Sequence, residues 1–312
     1  MPYCMHRKFG FLNVLPVGWG RRFCLLLPLL VLQACSVSSG KLLPQDRVQE
    51  AEQIAQEVGF KRYVVPSLPN KIWSYLSPAW GQPNLGSSEA TVYIEGDGVL
   101  EISSGAGGSL SRDPTPTPPF PLFLAADHSR LQPSHLIAYM ARPCQFTLQT
   151  KQDRCEALDW LQGRYGDKAI SSLSHALDVL KSKRSISAFH LVGYSGGGTL
   201  AVKLARIRTD VVSVATLAAN LDHGVFFKRH FETYPPARFD LISGLDPNHL
   251  VQEEHFVGGS DQIVFPEIAQ AYLQKMKQVM PAADVSVNVV PGLAHHDYER
   301  WRKLWLKTIQ KP

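Results

Sequence analysis

Ser195 stands in the run HLVGYSGGGTLAVKLA (190–205), with glycines at 193, 196, 197 and 198 and a helix-forming stretch behind it. A serine hydroxyl attacks a carbonyl at neutral pH only when a base takes its proton and an acid orients that base. Gly-x-Ser-x-Gly between an apolar run and a helical run suits that task. The serine then occupies a sharp, strained turn from strand to helix, where a side chain on either neighbouring glycine would clash. The helix behind it aims its dipole and free N–H groups at any anion that develops. The rival reading, a phosphate-binding turn, calls for a Gly-Lys-Ser/Thr ending that this run lacks.

Partners for the serine follow in chain order. Asp261 lies in GGSDQ after the apolar stretch EEHFV, and PGLAHH brings His295 and His296 one helix and one strand later. A carboxylate and an imidazole placed after successive strands reach the same sheet end as Ser195. Asp261 reads as the acid, with Asp222 in NLDHG as the reserve; aspartates in such turns also serve as caps. His295, three residues after Gly292, reads as the base, with His296 as the alternative. His190 falls inside a strand, and His223 and His255 read as structural. An oxyanion site needs two backbone N–H groups. The residue after the nucleophile, Gly196, supplies one, and the loop closing YIEGDG (93–98) supplies the other, from Asp97 first or Gly98 next. No metal and no organic cofactor enter this chemistry.

These residues need a scaffold that delivers them to one edge. QDRVQEAEQIAQEVGF (45–60) reads as an amphipathic helix. KRYVVP and KIWSYLSP read as early strands, and ATVYIEGDG (90–98) as a clearer one. DPTPTPPFP (113–121) reads as a rigid proline-rich loop, and its continuation to Leu124 could line an acyl pocket through Phe120 and Phe123. LIAYMARPCQF (136–146) is an apolar run halted at Arg142-Pro143. Helix and strand then alternate: helix 167–183, strand 187–193, helix 197–208, strand 211–220, strand 253–259, helix 266–280, strand 284–292 and helix 298–310. That alternation predicts an α/β domain on a largely parallel sheet, whose functional groups gather beyond the carboxyl ends of the strands. No internal repeat is visible.

The N-terminus reads as an export signal. Residues 1–34 carry Arg7, Lys8, Arg21 and Arg22 and no acid, and they end just before Cys35-Ser36 in FCLLLPLLVLQA, an apolar run too short to span a bilayer comfortably. The run stops at Cys35, as in a bacterial lipobox, where the cysteine becomes the lipid-bearing first residue. Ser36 resembles the pattern for passage to the outer membrane, facing the periplasm. An uncleaved anchor and an ordinary secretory signal are the alternatives. The predicted organisation is signal peptide 1–34, tether 35–44 and one domain over 45–312, long enough for a substantial core. The net charge of +5 falls to about +1 without the four N-terminal cations. Charge therefore does not argue for a nucleic-acid partner. Cys144 and Cys155, eleven positions apart in an exported domain, suggest one disulfide, with two free thiols as the alternative.

Taken together, YIEGDG (93–98), DPTP (113–116), MARPCQF (140–146), HLVGYSGGG (190–198), ANLDHG (219–224) and HFVGGSDQIV (from His255) resemble the α/β-hydrolase superfamily. They are particularly similar to uncharacterised bacterial lipoproteins of that fold. The resemblance spans roughly residues 45–305. It implies Ser195, Asp261 and His295 as a triad, supports a Cys144–Cys155 bridge, and leaves the substrate unspecified beyond a small acyl or ester compound. The histidine turn GLAHHDYERW departs from the G-F-D-H pattern of similar proteins. The reading is an envelope-tethered serine hydrolase acting on carboxylic esters. A non-catalytic binding lipoprotein, or an acyltransferase or peptidase using the same triad, is the alternative.

Overall fold

A computed structural model describes residues 44–83, 86–102, 109–146, 155–231 and 240–310. The chain divides into Met1–Lys41 and Leu42–Pro312. The predicted signal peptide and Cys35 lie outside the described residues.

The second unit opens with α1 (Pro44–Glu57), β1 (Lys61–Val65), β2 (Ile72–Leu76), a single 3-10 turn (Pro78–Gly81), β3 (Glu89–Ile94) and the short pair β4 (Glu101–Ile102) and β5 (Ser109–Leu110). Next come α2 (Phe120–Leu131), β6 (Leu136–Met140), α3 (Ala157–Trp160), α4 (Asp167–Arg184), β7 (Ala188–Tyr194) and α5 (Gly196–Ile207). The chain continues through β8 (Val211–Leu217), α6 (His223–Phe231), β9 (Gln252–Gly258), α7 (Pro266–Val279), β10 (Val285–Val290) and α8 (Tyr298–Ile309). Eight strands form one sheet in the order β1-β2-β6-β3-β7-β8-β9-β10. β1 pairs antiparallel with β2, and β2 with β6; every other neighbour is parallel.

Side-chain alternation along each strand divides the core in two. Val92 and Ile94 of β3, Ala138 and Met140 of β6, and Phe189 and Leu191 of β7 pack on one face with α4, α5 and α7. Tyr93, Tyr139, Val192 and Tyr194 face the other way, against α1, α2 and α8. Strands apolar on both faces are what a sheet covered on both sides requires. The connections reverse direction at β3: one leads outward to β6, and the chain then returns to β7 on the opposite flank. The carboxyl ends of β3 and β7 therefore flank a switch point, where open α/β sheets place their ligands.

Besides the single-turn α3, which the sequence reading did not anticipate, two longer helices depart from it. The proline-rich loop ends early, because Phe120 already opens α2 with Pro121 in its first turn, where a missing N–H costs nothing. Phe120 is buried against Tyr194 and Tyr298, at 4.9 Å from each ring, and Phe123 lies under the Arg302 guanidinium. α6 was not anticipated at all. Its signal is Asp222, whose Oδ1 accepts the Val225 N–H at 3.1 Å as a helix cap.

Candidate active site

Ser195 closes β7 and caps α5 with φ 50° and ψ −125°, a backbone conformation that a non-glycine residue holds only under constraint. The constraints are visible. Its N–H donates to the Leu217 carbonyl of β8 at 2.8 Å, and its carbonyl accepts the Gly198 N–H at 3.0 Å. A Cβ on Gly193 would collide with the Gly197–Gly198 backbone, and one on Gly197 with the Ile94 and Glu95 carbonyls. Both positions need glycine so that α5 can press against the ends of β3 and β7.

His295 reaches this turn from beyond β10. Its Nε2 lies 3.2 Å from Ser195 Oγ, and its Nδ1 lies 2.7 Å from Asp261 Oδ2. Asp261 is buried at the end of β9, and its Oδ1 accepts the Ile263 and Val264 N–H groups at 2.8 Å each. A carboxylate only accepts, so Nδ1 carries the proton and Nε2 is left to accept from the serine hydroxyl. The histidine turn is held from behind: the His295 carbonyl accepts from Tyr194 Oη at 2.9 Å and from Trp301 Nε1 at 3.0 Å.

The loop after β3 runs alongside, close enough that a Cβ on Gly96 would lie 3.6 Å from Ser195 Cβ. Among the described residues, the N–H groups of Asp97 and Gly196 have no hydrogen-bond acceptor. The Asp97 carboxylate is drawn aside by the Arg142 guanidinium, the Tyr165 hydroxyl at 2.6 Å and Arg164 Nε at 3.6 Å. Burial alone would raise its pKa, but the Arg142 and Arg164 charges outweigh that and bring it down to about 2. Glu95 accepts the Gly96 N–H at 2.8 Å and the Tyr139 hydroxyl at 2.9 Å. Its burial pushes its pKa up to about 8.

Solved structures share this architecture. The chain is similar to an α/β serine hydrolase without a lid from Xanthomonas campestris, at 13% identity and a TM-score of 0.51, over 80% of this chain and 94% of that one. An esterase from Pyrococcus furiosus matches at 12% identity and a TM-score of 0.55, over 86% and 94% of the two chains. Est1E from Butyrivibrio proteoclasticus with ferulic acid bound matches at 12% identity and a TM-score of 0.51, over 79% and 97%. The chain has the α/β-hydrolase fold. No protein-family model matches the sequence, and no curated protein does so.

On this α/β-hydrolase scaffold, the other candidate residues sit elsewhere. His296 is exposed, its ring edge-on to His295 at 4.9 Å; partial burial and the neighbouring His295 lower its pKa. Asp222 caps α6 and accepts from Lys275 Nζ at 2.5 Å, so it serves the α6–α7 side. His190 pairs with Ser213 and Glu89, and buried His255 bonds Thr216 and Glu253. His223 opens α6 with its ring 5.0 Å from that of Tyr165. Cys144 and Cys155 form a disulfide, so the cluster they make with Asp159 offers no thiolate to a metal. Sequence reasoning passed over Glu95, Arg142, Gln145 and Tyr165 as neighbours of the oxyanion loop. Arg142 and Gln145 stood in the quoted run MARPCQF and Glu95 in YIEGDG, but neither run assigned them a role until folded, and Tyr165 left no trace.

Proposed function

We propose that this chain is a serine hydrolase that cleaves carboxylic esters or related acyl bonds. The observation that supports the reading is the hydrogen-bonded series Ser195 Oγ, His295 Nε2, His295 Nδ1, Asp261 Oδ2 at the end of a parallel sheet. His295 takes the hydroxyl proton as Ser195 Oγ bonds to the acyl carbon. The imidazolium that results is held by the buried Asp261 carboxylate. Negative charge moves onto the former carbonyl oxygen, beside the Asp97 and Gly196 N–H groups and the N-terminal end of α5. His295 returns the proton to the leaving alcohol, an acyl-enzyme remains, and water repeats the sequence to release the acid. In this reading no step calls for a metal or an organic cofactor.

We also read the chain as tethered to a bacterial envelope through lipid on Cys35, at the outer membrane and facing the periplasm. The support is the sequence before that cysteine. No helix among the described residues is long and apolar enough to cross a membrane. Palmitate incorporated by the full-length chain but not by Cys35→Ala is the expected result, and equal labelling would remove the tether from the proposal.

The catalytic reading is tested with a fluorophosphonate probe and short-chain nitrophenyl esters. The wild-type protein should label and turn over, and Ser195→Ala should do neither while keeping its melting temperature. Persistent labelling of Ser195→Ala would mean another nucleophile.

A further inference from the structure

The run MARPCQF takes no part in the Ser195–His295–Asp261 series, yet its side chains close on the loop beside Ser195. Arg142 pairs with the Asp97 carboxylate and donates through Nη2 to the Arg164 carbonyl at 2.6 Å. Gln145 Nε2 donates to the Gly96 carbonyl at 2.9 Å, while its Oε1 accepts the Arg142 N–H at 2.9 Å. The Gly96 carbonyl and the Asp97 N–H belong to one peptide plane, on opposite sides of a trans bond. Holding the oxygen therefore sets the direction of the hydrogen. The plane before it is fixed as well, since Glu95 accepts the Gly96 N–H.

Gln145 is itself held. Cys144 and Phe146 on either side of it have φ of 73° and 62°. Non-glycine residues keep such values only where the surroundings over-determine them. One constraint is the Phe146 N–H, which donates to Thr115 Oγ1 at 2.7 Å. Another is the Cys144–Cys155 disulfide, which anchors the turn across a separation of 11 residues. Gln145 is 1% exposed, so water does not compete for its amide.

We infer that Gln145 and Arg142 are positioning residues for acylation: they hold the Gly96–Asp97 peptide with its N–H aimed at the developing oxyanion, and the Cys144–Cys155 disulfide holds the turn that carries them. This rests on the reading of Ser195 as nucleophile. A donor aligned by a buried side chain strengthens the transition state without changing ground-state binding, so its loss falls on kcat and not on KM.

The test compares the wild-type protein with Gln145→Leu, which removes the donor at similar volume, and with the double variant Cys144→Ala/Cys155→Ala. Nitrophenyl ester turnover gives kcat and KM. Inhibition by a trifluoromethyl ketone, whose adduct with a serine carries the oxyanion, gives a second reading of the same site. The expected result for Gln145→Leu is a fall in kcat of about 10- to 100-fold with KM unchanged, below the loss for deleting a donor outright. Ketone affinity should fall by the same factor. The double variant should move the same way, and it keeps the inference testable if Gln145→Leu does not fold. An active wild type whose kcat is untouched in the variants, or variants that raise only KM, would overturn the inference and leave Ser195 as nucleophile. A wild type inert to both ester and fluorophosphonate would instead overturn the nucleophile reading, and this inference with it.

Discussion

His295 and His296 are chemically identical neighbours, and their surroundings separate them completely. His295 is buried between Ser195 and Asp261, with its backbone carbonyl held by two donors, while His296 stands exposed beyond it. Replacement of His295 by alanine should lower kcat by about 10⁴-fold or more, as loss of a base from a coupled triad does. His296→Ala should stay within about tenfold of the wild type. Steady-state ester kinetics on the two variants decides, and equal losses would reopen the choice of base. At the same scale Asp97 shows how an acidic residue can stand in the loop beside Ser195 with its charge turned away. Two arginines and a tyrosine hydroxyl hold its carboxylate aside, and its backbone N–H has no acceptor among the described residues.

At the scale of elements, the site depends on how closely α5 approaches the sheet. Gly197 packs directly on the Ile94 and Glu95 carbonyls, and backbone atoms cannot rotate out of the way as a side chain can. Gly197→Ala should therefore destabilise the fold by about 1–3 kcal/mol and displace Ser195 from His295. Urea unfolding alongside fluorophosphonate labelling measures both effects, and a variant of full stability and full labelling rate would show that the contact gives way. The periodic elements were legible in sequence: α4, α5, α7 and α8 and strands β7 to β10 fall within a few residues of their predicted spans. α2 was not, because four prolines between residues 114 and 119 read as a breaker even though the helix starts just after them. α6 was hidden because Asp222, its cap, also suited the role of a catalytic acid.

Across the whole molecule, two buried glutamates pull stability in opposite directions with pH. Burial alone would raise Glu253, but its hydrogen bond to His255 and the charge of Arg206, at 2.5 Å, bring it down to about 2. A depressed carboxylate stabilises the fold fully above its unfolded pKa near 4.5, and that contribution is lost as pH falls from there towards 2. Glu95 is the reverse case. Raised to about 8, it stabilises the fold fully below about 4.5 and loses that contribution as pH climbs to 8. Each pH unit inside either window is worth at most about 1.4 kcal/mol per group. Urea midpoints at pH 5 and pH 8 should therefore differ more in the wild type than in Glu95→Gln, which cannot ionise. Parallel shifts in the two proteins would remove Glu95 from the account.

The sequence by itself determined the class of fold, the strained serine turn and the types of its partners, because periodicity and turn chemistry are local properties of a chain. The pairing of Asp261 rather than Asp222 with His295 rather than His296 was decided only by the tertiary structure. So was the grip of Gln145 and Arg142 on the loop after β3. Those contacts join residues 34 to 100 positions apart, and their distances depend on strand order and on which side chains the packed sheet leaves facing one another.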